Sequence, residues 1–174
     1  AMIYTLDEAS RRQASAPHEL LMVNLAAFHL LLAPASIALD IGAWGLALTP
    51  LLSGAVIAFT YLRGQASSGS IPWFVRMHWR LAWRRCRLLL MAYAASALII
   101  GGGALLASTA QKPSIQEIIF HLAPRVGVMP TVVMVLVLFV LANGGLEMAA
   151  RGEIPDGLLK IYPAPAETPE AQTA

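Results

Sequence analysis

The sequence carries very little charge. Asp, Glu, Lys and Arg make up 13% of its 174 residues, against about a quarter in ordinary soluble domains. Hydrophobic residues make up 57%, and most of them fall in long runs that a soluble domain of this size could not bury. The composition excludes an ordinary soluble domain and predicts an all-α integral membrane protein.

Cysteine and the common catalytic motifs are also scarce. The single cysteine, Cys86, excludes an intramolecular disulfide and a cysteine-based metal cluster within one chain. The sequence contains no glycine-rich phosphate loop, no HExxH and no GxSxG motif. The polar segments are too short to form a catalytic domain. We therefore predict a chain that is not an enzyme on its own and that holds no metal.

Four apolar stretches approach the length needed to cross about 30 Å of hydrocarbon. They are residues 20–39, 41–62, 88–107 and 129–149, and we expect them to form two transmembrane hairpins. The predicted segments are a cytoplasmic amino-terminal segment at 1–19, a first hairpin at 20–62, a basic cytoplasmic loop at 63–87, a second hairpin at 88–149, and a cytoplasmic tail at 150–174 that is disordered from about 163.

Arginine is concentrated in the loop between the two predicted hairpins. The loop contains no acid and half of the twelve basic residues, namely Arg63, Arg76, Arg80, Arg84, Arg85 and Arg87. Basic residues in short loops remain on the cytoplasmic side of a membrane. With four crossings, both termini are then cytoplasmic as well. The alanine-rich and arginine-rich sequence favours a bacterial plasma (inner) membrane.

Helical spacing gives this basic loop a defined pattern. At 100° per residue, four arginines share one side of a helix and two tryptophans lie beside them. This is typical of a helix at the headgroup layer that precedes span three, with its apolar stripe in lipid. We expect anionic lipids or a partner to bind this surface, and we predict no nucleic-acid partner. The predicted binding residues are Arg76, Arg80, Arg84, Arg87, Trp79 and Trp83, and the apolar stripe contains Phe74, Met77 and Leu81.

A second, shorter helix is predicted between spans three and four. Ile115, Ile118, Ile119 and Leu122 recur at helical spacing. The pattern indicates an amphipathic helix over about 114–123 that lies on the outer membrane surface.

Polar side chains are rare inside the predicted spans, and each is a candidate for function because it is costly in hydrocarbon. The candidates are His29, Asn24, Asn143, Ser53 and Ser96. His29 is the one titratable residue near a midplane. A hydrogen bond from His29 to Ser53 or Ser96 is the structural interpretation, and a haem or a quinone at His29 is the alternative. We predict no cofactor otherwise.

Small residues in the spans indicate where helices approach one another, because a missing side chain lets two backbones come close. The predicted packing residues are Gly54, Gly101, Gly102, Gly103, Gly144 and Gly145.

Three functions fit these patterns. The first is a non-catalytic accessory subunit of a larger inner-membrane complex of respiration, photosynthesis or transport, with other integral membrane subunits as partners. The second is a small homo-oligomeric transporter with His29 near its pathway. The third is a redox subunit that binds haem or quinone at His29.

Overall fold

The computed structural model describes residues 2–39, 41, 43–66, 71–165 and 171–173. The protein is about 83% helical. Within these residues, four helical stretches are long and apolar enough to cross a membrane. These findings confirm the prediction of a helical multi-pass membrane protein.

The first stretch changes its helical type along its length. Helix α1 (Glu8–Asn24) begins at Asp7, whose side chain accepts a hydrogen bond from the Ser10 amide. A π-helix, Leu25–Leu32, follows, and then α2, Ala33–Ala38. The wide turns come just before Pro34, which lacks an N–H and whose ring clashes with the carbonyl four residues earlier in a regular α-helix.

The remaining long helices run from α3 to α6. Their bounds are α3 (Ala43–Gly64), α4 (Trp73–Thr109), α5 (Pro113–Gly127) and α6 (Met129–Arg151). At 1.5 Å per residue the 37 residues of α4 span about 55 Å. Because hydrocarbon is about 30 Å thick, α4 includes both a span and a long extension. The predicted basic loop thus contains the first turns of α4.

The chain divides into two compact units. The first consists of Ala1–Cys86 and Phe139–Ala174, and the second is Arg87–Leu138. The first unit contains a small antiparallel sheet of β1 (Met2–Tyr4), β2 (Glu153–Ile154) and β3 (Ala171–Thr173), in the order β2-β1-β3. Met2 pairs with Ile154 and with Thr173. A one-turn helix, α7 (Asp156–Leu159), follows β2.

The sheet covers a hydrophobic core that joins the two ends of the chain to α4. We call this assembly the cap, defined by its buried residues Tyr4, Ala14, Phe74, Val75, Met77, Trp79, Ala149, Ile154 and Leu158. Gly152 makes the turn between α6 and β2, with a φ of 73°. Within the tail predicted to be disordered from about 163, the structure places strand β3, and 166–170 lie outside the described residues.

The second unit contains the apolar part of α4, all of α5 and the start of α6. The hydroxyls of Ser96 and Thr131 lie 2.8 Å apart and join α4 to α6. Helix α5 covers the predicted range 114–123 and extends to Gly127. Its apolar residues Ile118 and Leu122 are exposed.

Candidate functional site

Two of the four predicted binding arginines are bound within the chain. Nη1 of Arg76 donates to the Ala66 carbonyl at 3.3 Å, and Nε of Arg80 donates to the Gly64 carbonyl at 3.0 Å. The Arg80 guanidinium also lies 3.7 Å from the centre of the Tyr162 ring, a cation–π contact. These two arginines therefore hold the end of α3 and the tail against α4.

The other two predicted arginines, Arg84 and Arg87, are exposed. They are the members of the basic set that remain accessible to a phosphate or to an acidic partner. A guanidinium binds a phosphate by two parallel hydrogen bonds.

The two predicted interfacial tryptophans contact aromatic residues of α3. Trp79 is buried, and its ring lies edge-on to Phe59 with centroids 5.7 Å apart. Trp83 lies 4.8 Å from the Tyr61 ring. Both pairs join the end of α3 to the start of α4, so these tryptophans make contacts within the protein.

His29 lies in the π-helix and is partly buried. Its Nδ1 atom is 3.4 Å from the Asn24 carbonyl oxygen, five residues earlier on the same helical stretch. Thr49 of α3 donates to the Phe28 carbonyl at 3.4 Å. The imidazole of His29 and the hydroxyl of Thr49 thus both lie within hydrogen-bond distance of backbone carbonyls in the first helical stretch.

The other predicted intramembrane polar residues differ in their surroundings. The amide atoms of Asn24 and the hydroxyl of Ser53 are buried and form no hydrogen bond with any of the residues described. Asn143 is exposed on α6, and Ser96 bonds to Thr131.

The predicted packing glycines fall into two groups. A Cβ atom at Gly103 would overlap the Cβ of Ala123 on α5, and one at Gly145 would overlap Nη1 of Arg85. Gly103 therefore allows close approach of α5, and Gly145 allows close approach of polar side chains. A Cβ atom would meet nothing within 4 Å at Gly54, Gly101, Gly102 or Gly144.

A buried group of polar side chains lies directly against Gly145. Nε2 of His18 on α1 and Nδ1 of His78 on α4 are 3.0 Å apart. Nη1 of Arg85, two turns further along α4, is 3.3 Å from Nδ1 of His18. His18 is 0% exposed, His78 1% and Arg85 7%. We call these three residues the His–Arg cluster.

The direction of each hydrogen bond in the His–Arg cluster follows from Arg85. A guanidinium can only donate, so Nδ1 of His18 accepts and the proton of His18 is on Nε2. That proton is then donated to Nδ1 of His78, whose own proton is on Nε2. Nε2 of His78 forms no hydrogen bond of normal geometry within the described chain, but it faces the backbone of β2 at Glu153.

Among the described residues, no carboxylate contacts this cluster. The exposed ion pair of Glu147 and Arg151 is separate from it. The Arg85 guanidinium is buried, and no neighbouring carboxylate compensates for its loss of contact with water. A buried cation without an anion is costly, which makes this cluster a candidate for function.

Sequence reasoning did not select His18, His78 or Arg85. A signal exists on α4, where Val75, His78, Ala82 and Arg85 recur at spacings of three and four. All four are buried, so the helix face that packs against the protein contains an imidazole and a guanidinium. The same kind of spacing surrounds His18, since Ala14, His18 and Leu21 are all buried, but it does not identify His78, sixty residues away in sequence, as the partner.

Comparison with known proteins gives no family. No protein-family model matches the chain, and no curated protein or solved structure is significantly similar to it. Within the described residues, no group of three or more His, Cys, Asp and Glu side chains could hold a metal ion.

Proposed function

We propose that the protein is a non-catalytic subunit of a larger inner-membrane complex. The observation that carries this proposal is a row of small residues along the apolar part of α4. The row consists of Ala94, Ala97, Gly101, Ala104 and Ser108, spaced three and four residues apart, and every member is exposed.

Such a row is better suited to another helix than to lipid. Helices associate in a bilayer through close backbone contact, which small side chains allow, because lipid tails are as apolar as leucine and supply no hydrophobic driving force. A Cβ atom at Gly101 would meet nothing within 4 Å, so the chain does not fill this surface itself. A transmembrane helix of a partner subunit would do so.

Asn143 supports the same proposal. It is exposed on α6, near exposed Leu136 and Val140. An amide that faces hydrocarbon lacks hydrogen-bond partners, whereas a polar group on a neighbouring helix can satisfy it. A partner helix at this face removes that cost.

The orientation that we propose has the cap, both termini and the start of α4 in the cytoplasm, with the four spans paired as two hairpins and α5 on the outer surface. The concentration of arginine in the loop before span three supports it. Arg84 and Arg87 would then bind the phosphates of anionic lipids at the inner leaflet.

The π-helix supports a second candidate, a homo-oligomeric transporter with His29 beside its pathway. Segments of π-helix occur often at functional sites, and here the segment places His29 and Thr49 on backbone carbonyls. The binding of a haem or a quinone by His29 remains a prediction. A purified complex that contains only this chain would favour the transporter.

Photo-crosslinking in the native membrane tests the subunit proposal. A photoreactive amino acid replaces Ala97, inside the row of small residues, or Leu106, which is 63% exposed on the opposite side of α4. We expect a protein adduct from position 97 and lipid adducts from position 106. Lipid adducts alone from both positions would contradict the proposal, and an adduct to a second copy of the chain would move the transporter to the front.

A further inference from the structure

We propose that the His–Arg cluster is an acid-sensitive latch, which holds the cap closed while both imidazoles are neutral and releases it when they take up protons. The proposal rests on the hydrogen-bond chain from Arg85 through His18 to His78, and on its burial.

Every site at which the closed latch could take up a proton is already occupied. A proton on Nδ1 of His18 would replace the hydrogen bond from Arg85 and place an imidazolium 3.3 Å from a guanidinium. A proton on Nδ1 of His78 would point at the N–H of His18, 3.0 Å away. Either event creates two buried cations side by side.

The described surroundings contain no carboxylate that could compensate a second charge, and the backbone of Glu153 compensates it only in part. His18 projects from α1, and His78 and Arg85 project from α4. Helix α6 contributes Gly145, which has no side chain, and β2 contributes the backbone of Glu153. The ring of Phe74, 4.7 Å from that of His78, covers another side. In the described chain these groups are the ones that act on the cluster, and none of them is a carboxylate.

The cluster cannot relax in place. A Cβ atom at Gly145 would already lie 2.5 Å from Nδ1 of His18, so the backbone of α6 is in close contact with the ring. Phe74 connects His78 to the cap core through Tyr4, whose ring lies 6.3 Å from that of Phe74. Protonation is therefore relieved by moving α1 away from α4, which opens the cap.

Opening of the cap is coupled to proton uptake by His18 and His78. In the opened cap both imidazoles contact water, where a histidine has a pKa of about 6.5. Between pH 7.5 and pH 5.5, each histidine that is neutral when closed and titrates when open raises the opening constant by about 10-fold. Two histidines raise it by about 100-fold. The stability of the closed cap is thus highest above pH 6.5 and falls as the pH drops.

Hydrogen exchange of the full chain in lipid nanodiscs measures the opening constant. Peptides that cover β1 and the first turns of α4 are followed between pH 7.5 and 5.5, and each rate is divided by the intrinsic exchange rate at that pH. We expect protection to fall by about 100-fold in the unaltered chain and by about 10-fold in His18→Gln. His121→Gln, which alters an exposed histidine of α5, serves as the matched control and should keep the 100-fold change.

Two results would overturn the latch. One is protection of the cap that stays constant between pH 7.5 and 5.5 in the unaltered chain. The other is a 100-fold change that survives in His18→Gln. If His18→Gln does not fold, the imidazole ¹⁵N shifts of His18 and His78 in the unaltered chain decide. Neutral imidazoles in every closed molecule support the latch, and a protonated imidazole in a closed cap contradicts it.

Discussion

Adjacent glycines of α6 give a matched pair of substitutions that tests the packing of the His–Arg cluster. A Cβ atom at Gly145 would overlap Nη1 of Arg85 and lie 2.5 Å from Nδ1 of His18, whereas one at Gly144 would meet nothing within 4 Å. Gly145→Ala and Gly144→Ala therefore add the same methyl group to the same helix, in contact with the cluster in one case and away from it in the other.

Two contributions set the expected change in the free energy of unfolding. Both substitutions gain about 1 kcal/mol of helix propensity, because alanine is favoured over glycine in a helix interior. Only Gly145→Ala adds an overpacking cost of about 1–3 kcal/mol, because both neighbouring side chains are held by hydrogen bonds and are buried. The propensity gain cancels in the comparison, so Gly145→Ala should be less stable than Gly144→Ala by about 1–3 kcal/mol.

Thermal unfolding in detergent, followed by tryptophan fluorescence, measures this difference. Trp73 and Trp79, two of the four tryptophans, lie in or against the cap core, so part of the signal reports its unfolding. One kcal/mol corresponds to about 2–4 °C in a chain of this size. We expect the Tm of Gly145→Ala to lie several degrees below that of Gly144→Ala. Equal midpoints, or the reverse order, would refute the close contact between α6 and the cluster.

Three further variants test other parts of the chain. Gly152→Ala should lower the Tm of the cap by several degrees. Gly152 has a φ of 73°, which costs an alanine about 1–2 kcal/mol in the backbone alone. A Cβ atom there would also approach the carbonyl oxygen of Tyr4 on β1. Asp7→Ala should speed hydrogen exchange of the Ser10 amide at pH 7, because the Asp7 carboxylate accepts a hydrogen bond from that amide. The hydrogen bond to Ser10 lowers the pKa of Asp7. In the unaltered chain the protection of the Ser10 amide is therefore present above pH 4 and is lost as the pH falls through the lowered pKa. Arg84→Gln with Arg87→Gln should reduce retention of phosphatidylglycerol in native mass spectrometry by about 30-fold, at about 1 kcal/mol for each arginine, with the Tm unchanged; full retention would exclude these two residues from lipid binding.

The membrane character of the chain could be predicted from the sequence because it depends on local composition. Each apolar stretch is continuous in sequence, and length and hydropathy alone identify four helices that can cross a bilayer. The helix between spans three and four was also predictable, since Ile115, Ile118 and Leu122 share one side of a single helix.

The start of α4 shows where local reasoning fails. Its spacing places Phe74 and Met77 on an apolar stripe that was interpreted as facing lipid, yet both residues are in the cap core. The cover comes from β1 and α7, which are far away in sequence. Periodicity identifies an apolar face but not what covers it, so it does not show that Arg85, counted with the basic loop, is buried.

The candidate site could not be predicted for the same reason. His18 and His78 are sixty residues apart, and neither lies in an apolar span, where a polar residue attracts notice. The change from α-helix to π-helix after Asn24 also has no residue signature beyond Pro34. The contact of His18 with His78 arises from the packing of α1 against α4, which a single sequence does not record.

We propose that this chain works as a subunit of a larger membrane complex, and the mass of the native particle tests this proposal most directly. The chain is extracted from its own membrane in a mild detergent, purified through a terminal tag, and measured by native mass spectrometry with identification of every component. We predict a particle with larger integral membrane subunits in fixed stoichiometry with this 18.6 kDa chain. A particle that contains only copies of this chain would contradict the claim.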